Sequence, residues 1–382
     1  MFKSVISLLI IGMISISELS FGQSNSMNVI TTSVPFLRIS SDARTGAMGD
    51  VGISTTPDAN SSFINLAKIP FSSKHAAIGV NYAAWMKSLG LQDVYLASIT
   101  GYFKFDEIEA FSSSFRYFNL GNEQFTDNQG SNLNTHRPSE FSLEEGYTRK
   151  LSSNLAMGIA IRFINSNLAK GESASGGFYK TGNAIAADLS LFHDGTVGKK
   201  DNSGLNWGVA LTNLGSKISY TNNASRKDYI PANLGLGVAY IKAFDPGKKL
   251  IVGLDVNKLL VPTPPQQNDP AAMDEYYNKS VVNSWFSAFG KKAGGFGETI
   301  REFQVSTGAE FLYNQQFAFR GGYFYENAQK GNRKYFTIGA GIEYKQFEVN
   351  FSYLIPSGSN VNQNPLSNTI RFGLIIKMDK SK

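Results

Sequence analysis

Apolar residues alternate with small or polar ones over much of this chain. The clearest stretch sets Phe336, Ile338, Ala340, Ile342 and Tyr344 between Thr337, Gly339, Gly341 and Glu343. The next sets Phe347, Val349, Phe351 and Tyr353 against Glu348, Asn350 and Ser352. The last sets Ile370, Phe372, Leu374, Ile376 and Met378 against Arg371, Gly373 and Lys377. Earlier, Leu250, Val252, Leu254 and Val256 alternate with Gly253, Asp255 and Asn257. Period two puts each set on opposite faces of a strand. From Lys74 onward the pattern predicts about fourteen strands, an even number as single-chain bacterial barrels require.

The same alternation suits a soluble sandwich, so the connections decide. Asp106-Glu107, Leu151 to Asn154, Asp245-Pro246-Gly247, Asn314-Gln315 and Lys345-Gln346 are tight. Between them, 119–140, 167–181, 215–230, 260–301 and 355–368 are long, while 195–204 and 327–333 are intermediate. Short turns on one side and long loops on the other are the signature of an antiparallel outer-membrane β-barrel, with the short side periplasmic. A sandwich has no reason to alternate this way. Two places strain the pattern. Residues 91–105 are apolar on both faces. Residues 141–150 put Glu145 in the row of Phe141, Leu143 and Tyr147, which predicts a bulge or a site where the outer face meets protein.

The first residues set the compartment. Lys3 precedes an apolar run from Val5 to Ile16, and Ser20-Phe21-Gly22 offers small residues to a signal peptidase. Residues 1–22 therefore read as a signal peptide cleaved before Gln23. The run falls short of the roughly 20 residues of a spanning helix, and no Cys follows it to make a lipoprotein. Composition agrees with an exported barrel. Cys is absent, so no disulfide framework holds the chain. Gly (37), Phe (28) and Tyr (17) are plentiful against 17% charged residues, as close-packed strands and aromatic girdles demand. The net charge of +6 needs no nucleic-acid partner, because no basic patch is interleaved with aromatics. Contact with anionic outer-membrane lipid and lipopolysaccharide is sufficient reason for it.

Residues 23–72 read differently. Strict alternation is missing, and small residues, Gly and Asp-Ala pairs dominate from Phe36 to Asp50. The segment is expected to be compact and partly helical around Asn60 to Lys68, with Asp58, Asn60 or Ser61 as N-cap, and to plug or line the lumen of a barrel spanning 73–382. The loop 260–301 is the other unusual feature. It opens on Val261-Pro262-Thr263-Pro264-Pro265, which cannot continue a ladder. Val281, Val282, Trp285, Phe286 and Phe289 then fall at the spacing of one apolar stripe on a short helix. A loop of this length implies its own fold or a partner. Trp85 and Met86 with Leu89 and Leu91 make a second apolar tip in the first long-side loop.

Candidate chemistry is thin. His75, His136 and His193 lack metal-like spacing. No nucleophile stands with a base and an orienting acid. Asp42, Asp50 and Asp58 lack the order of a calcium loop, and Gly294-Gly295-Phe296-Gly297 is not a phosphate loop. The sequence therefore gives no catalytic, cofactor-binding or metal residue, and the chain reads as a non-enzyme. Asp188, Asp255, Glu310, Arg320, Glu343, Glu348 and Arg371 fall on the lumen side, where pairing across the interior is the expected role.

Phe36-Leu37-Arg38-Ile39, followed by Asp42-Ala43-Arg44-Thr45-Gly46-Ala47-Met48-Gly49-Asp50, resembles the N-terminal signature of the PorV (LptO) family. Pro57-Asp58-Ala59-Asn60 and Asn65-Leu66-Ala67-Lys68 extend the resemblance. Ser41 and Leu66 stand where the family pattern has Pro, and the chain ends on Met378-Asp379-Lys380-Ser381-Lys382 rather than on an aromatic. The related PorQ family shares the architecture. The resemblance implies a FadL-like barrel of 14 strands with an N-terminal plug, belonging to the type IX secretion system. It further implies a non-catalytic protein that binds the translocon barrel SprA (Sov) and receives cargo bearing a C-terminal secretion domain. Such a protein delivers the cargo to an attachment complex that contains the PorU sortase with PorQ and PorZ. Trp85, Met86, Leu89, Val281, Val282, Trp285, Phe286 and Phe289 are then the expected partner contacts. The alternative is a FadL-like transporter of small hydrophobic molecules, with Gly235, Gly237 or Gly321-Gly322 kinking the wall. An outer-membrane lipid-modifying enzyme is a third reading, disfavoured by the missing catalytic constellation.

Overall fold

The computed structural model describes residues 29–380 apart from 87–89, 92, 127–128, 131, 170, 173–177, 223–225, 246, 266–268, 291–294 and 358–367. The expected signal peptide and Leu89 lie outside the described residues. Fourteen antiparallel strands close into one barrel, with the first, Ala76–Ala84, paired to the last, Ile370–Met378. Between them run Val94–Lys104, Glu109–Leu120, Ser139–Lys150, Leu155–Asn167, Gly182–His193, Gly204–Gly215, Asn233–Asp245, Lys248–Leu259, Phe303–Tyr313, Phe317–Tyr325, Lys334–Tyr344 and Phe347–Pro356. Each pairs with its sequence neighbours, so every connection is a hairpin. Short hairpins at Glu123–Thr126 with Asn132–His136, and at Gly171–Glu172 with Phe178–Tyr179, lie within the long-side loops.

The alternation has the expected cause. Ile78, Val80, Ile99, Ile161, Leu236, Val252, Phe319 and Phe372 point outward and are exposed, while their neighbours point into the lumen and are buried. This inverts a soluble protein: the apolar set faces the surroundings and the polar set faces in, as a lipid-facing wall requires. The tight turns rest on local chemistry. The Asp106 carboxylate accepts from the Ile108 and Glu109 backbone N–H at 2.6 and 2.8 Å. Asn314 and Gln315 both take positive φ, which a close hairpin needs.

Both strained places resolve. Residues 94–104 form a regular strand whose inward Leu96 is apolar because it packs with Phe36 and Phe118 inside the barrel. Residues 139–150 hold one register against both neighbours without a bulge, so Glu145 stands on the outer face.

The N-terminal segment lies inside the barrel. A 3₁₀ turn at Pro35–Arg38, a helix at Ala43–Ala47, a helical turn at Ser61–Ile64 and a 3₁₀ stretch at Leu66–Phe71 carry it through the lumen. Helices this short are unstable alone, and side chains stabilise their ends. Asp42 caps the first helix by accepting from the Arg44 and Thr45 N–H at 2.8 and 2.9 Å. Asn60 occupies the cap position of the helical turn without a side-chain cap bond. Asn65 caps the last stretch through the Ala67 N–H.

Candidate functional site

The plug is fastened to the wall by charge and by backbone. Arg44 reaches from the short helix to Glu310 on the Phe303–Tyr313 strand at 2.7 Å and to Asp58 of the plug at 3.0 Å. It also donates to the Thr56 carbonyl and hydroxyl. Glu310 in turn accepts from Arg320 of the neighbouring strand at 2.9 Å. Asp255 accepts the Gly52 and Ile53 backbone N–H at 2.7 and 2.9 Å. Thr337 accepts from Gly49 N–H and donates to the Ala47 carbonyl. Asn65 donates to the Leu191 carbonyl of the wall, and Asn60 bridges Asp42 to Asn81.

The plug residues singled out from sequence therefore converge. Asp42, Arg44, Asp58, Asn60 and Asn65 make the bonds just described. Ala43 and Met48 are fully buried, and Gly46 gives way to the Arg371 guanidinium. Gly49 has φ +67° and lies against the Tyr323 backbone, where a side chain would collide. Ser41 and Leu66, the two departures from the family pattern, make contacts a Pro ring would lack. The Ser41 hydroxyl bonds Ser98 of the wall at 2.9 Å, and Leu66 fills the space over Gly146 and Gly158.

The lumen charges do more than pair across the interior. Asp188 holds Arg162, and Glu343 with Glu348 holds Lys377. Asp255 and Glu310, however, serve the plug, as does Arg371, which donates to the Ser40 carbonyl at 3.0 Å. At Gly235 and Gly237, Ile53 of the plug occupies the space a Cβ would take, so these glycines admit the plug. Gly322 is likewise pressed by the Met48–Gly49 backbone.

Above the plug on the long-loop side lies a cavity of about 540 Å³. Apolar groups such as Trp85 and Phe324 contribute to it, but charges ring it: Arg38, Arg116, Glu302, Glu326, Arg333 and Arg371. Glu326 accepts from Arg333 Nε and Nη2 at 2.7 and 2.8 Å, a two-pronged pair. Gln304 joins Glu326 to Arg38 of the plug. Burial pushes the Glu326 carboxyl up, but the bonds and charge of Arg333, with help from Arg38, outweigh it and hold the carboxyl below the usual glutamate range. This network was missed in the sequence, because its members lie in three distant stretches.

The expected partner contacts divide. Trp85 turns inward, only 9% exposed, and packs edge-on against Phe118. Met86 lies against the same interior cluster. The chain bends just past the first strand, so Trp85 and Met86 line the mouth. Leu91 beside it is exposed. The stripe at 281–289 forms the expected helix, Val281–Ser287, but splits between two faces. Trp285 packs against Ala232, Leu260 and Ala288, a cluster that Leu211, Leu214 and Leu234 also join, and so the loop folds over the rim. Val282 and Phe286 face away and are exposed, Phe286 at 74%, while Phe289 is half exposed and its ring also lies over the buried Lys258 ammonium. Phe296 at 80% and Ile300 at 53%, four apart on the helix Gly295–Arg301, extend the exposed apolar set. Sequence reading passed over this pair, though its spacing was visible. The base of the excursion is fixed by Lys258 and Glu302 at 2.5 Å, both fully buried.

Solved structures share this architecture. The Ralstonia pickettii toluene transporter TbuX aligns with a TM-score of 0.51 at 10% identity, over 88% of this chain and 98% of its own. The monoaromatic hydrocarbon channel CymD gives 0.51 at 10% identity, over 88% and 97%. A Pseudomonas aeruginosa FadL homologue gives 0.47 at 12% identity, over 89% and 98%. At such identities the likeness concerns the fold alone. Among curated proteins, none matches the sequence. The family described as "Type IX secretion system protein PorV" matches residues 22–266, well over half of the chain. With fourteen strands closing its barrel and that family's model matching most of its length, the chain is a member of the PorV family, an outer-membrane component of type IX secretion.

Proposed function

We propose that this protein is a non-catalytic shuttle and adaptor. It docks on the SprA (Sov) translocon barrel, receives cargo with a C-terminal secretion domain and hands it to the PorU-containing attachment complex. The observation that carries the reading is the set of exposed apolar side chains on a loop with its own helices: Val282, Phe286 and Phe289 in and just after one, Phe296 and Ile300 on the next. Apolar rings held out on an ordered scaffold fit a protein contact. An export signal on residues 1–22 is part of the same reading.

The alternative, transport of small hydrophobic molecules, draws on the fold shared with hydrocarbon channels. The cavity's lining is largely apolar and so does not argue against that reading; the plug fastened by ion pairs and backbone bonds to the wall beneath it does, because it stands across the route a ligand would take. The test is retention of partners by a tagged copy purified from native outer membrane in mild detergent. Replacing Val282, Phe286 and Phe289 with Ser should reduce co-purification of a very large barrel protein by at least ten-fold, while heat-modifiable gel migration shows the barrel intact. Trp285 is left in place because it holds the loop down. Unchanged retention, or a wild-type barrel that carries only fatty acids, refutes the shuttle reading.

A further inference from the structure

The outer wall carries one feature that neither the plug nor the loops explain. Among the described residues, Glu145 is the sole charged side chain on the outward face away from the strand ends. Other outward charges, such as Glu109, Arg149, Lys242 and Lys248, sit near the turns and pair there. Glu145 is at the middle of its strand, and exposed Phe115, Leu143, Tyr147, Ile159 and Ile161 surround it. Charge on the lipid face of a barrel is most destabilising at this depth. An ionisable group placed there marks a functional site.

The neighbours give little compensation. Ser113, directly across, donates to one Glu145 oxygen at 2.9 Å, and among the described residues it is the only donor on that carboxylate. One strand further on, Gly101 stands opposite Ser113. Acyl chains bring no hydrogen-bond donor to this depth. A second copy of this chain through the same face would set Glu145 against Glu145, and its described wall has no outward cation at mid-depth to offer.

We propose that the strands carrying Gly101, Ser113 and Glu145 form a lateral, in-membrane contact with a different membrane-embedded protein. That partner presents a Lys or Arg from its own wall to Glu145. The surface is separate from the exposed loop row, and its partner is defined by that charge alone.

The test introduces a photo-crosslinking p-benzoylphenylalanine at Ile161, opposite Glu145, in the full chain in its native outer membrane. The expected adduct is a peptide from a transmembrane strand of another protein that contains an outward Lys or Arg. Its yield should fall at least ten-fold in Glu145→Leu, as loss of one partner of a desolvated charge pair requires. Glu145→Gln, which keeps the acceptor without the charge, should fall between the two. Adducts to lipid only, adducts to another copy of this chain, or a yield indifferent to Glu145→Leu overturn the proposal. The loop variants separate it from the shuttle reading. An adduct that persists when Val282, Phe286 and Phe289 are Ser, but disappears in Glu145→Leu, upholds the wall contact whatever the loops do.

Discussion

Arg44 is the residue on which the seat of the plug most depends. Its guanidinium is nearly buried and bonds Glu310, Asp58 and Thr56, so Arg44→Met removes the cation from between two acids. Glu310 keeps Arg320, but Asp58 has no other cation within ion-pair distance among the described residues. Breaking a buried pair by removing one partner costs about 3–5 kcal/mol. A cost of that size raises the population of an unseated plug by roughly 10²- to 10⁴-fold. Hydrogen–deuterium exchange on the detergent-solubilised barrel reads this directly, since amide protection reports local opening. The amides of Gly52 and Ile53, held by Asp255, and of Gly46, held by Asp42, are the reporters. They should exchange faster by a large part of that factor while the strand amides stay protected. Arg44→Lys keeps the charge but loses the planar fork, and should recover only part of the protection. Plug amides that stay as slow as in the parent would refute the reasoning. So would strand amides that accelerate equally, because the charge would then be stabilising the barrel and not the seat.

Adjacent glycines give a sharper steric prediction. A Cβ at Gly322 would lie 2.1 Å from the Met48 carbonyl carbon, whereas at Gly321 the nearest atom is 3.8 Å away. Gly322→Ala should therefore cost about 1–3 kcal/mol through overpacking and lower the thermal midpoint, with Gly321→Ala close to parent. Equal midpoints for the two would dismiss the close plug contact. Acid should loosen the mouth. Because the Glu326 carboxyl is held below its usual value, its contribution is complete above about pH 4.3, the ordinary glutamate value, and is lost as pH falls through the lower folded value. Limited proteolysis of loop 326–333 across that range should show an acid-driven step that Glu326→Gln abolishes. A step that survives the substitution belongs to another group.

Much of the wall was legible because its rule is local. Phe336 to Tyr344 alternates so strictly, and Asn314-Gln315 turns so tightly, that strand number and the sidedness of the loops followed without long-range information. The plug was legible as a group of residues and not as a fastening. Arg44 and Glu310 are 266 positions apart, and no pattern along one chain pairs them. Trp85 went astray for a related reason: an apolar residue just past a strand end faces in or out according to which way the chain bends. The helix at 281–287 shows a third limit. Five apolar residues at helical spacing announce a helix, but which of them covers Leu211 and Leu234 depends on the surface beneath. Glu145 was conspicuous in the sequence because it broke the rule, and the regular register shows that the break lies in the chemistry and not in the backbone.

The pairing of the first strand with the last has a consequence for the order of assembly. Arg371, which grips the plug at Ser40 and Gly46, belongs to that last strand. Until Ile370–Met378 docks on Ala76–Ala84, the wall is an open, curved sheet and the plug can only lie in its hollow. Closing the seam therefore adds the Arg371 contacts to a plug that Glu310, Asp255 and Thr337 already hold to the other strands.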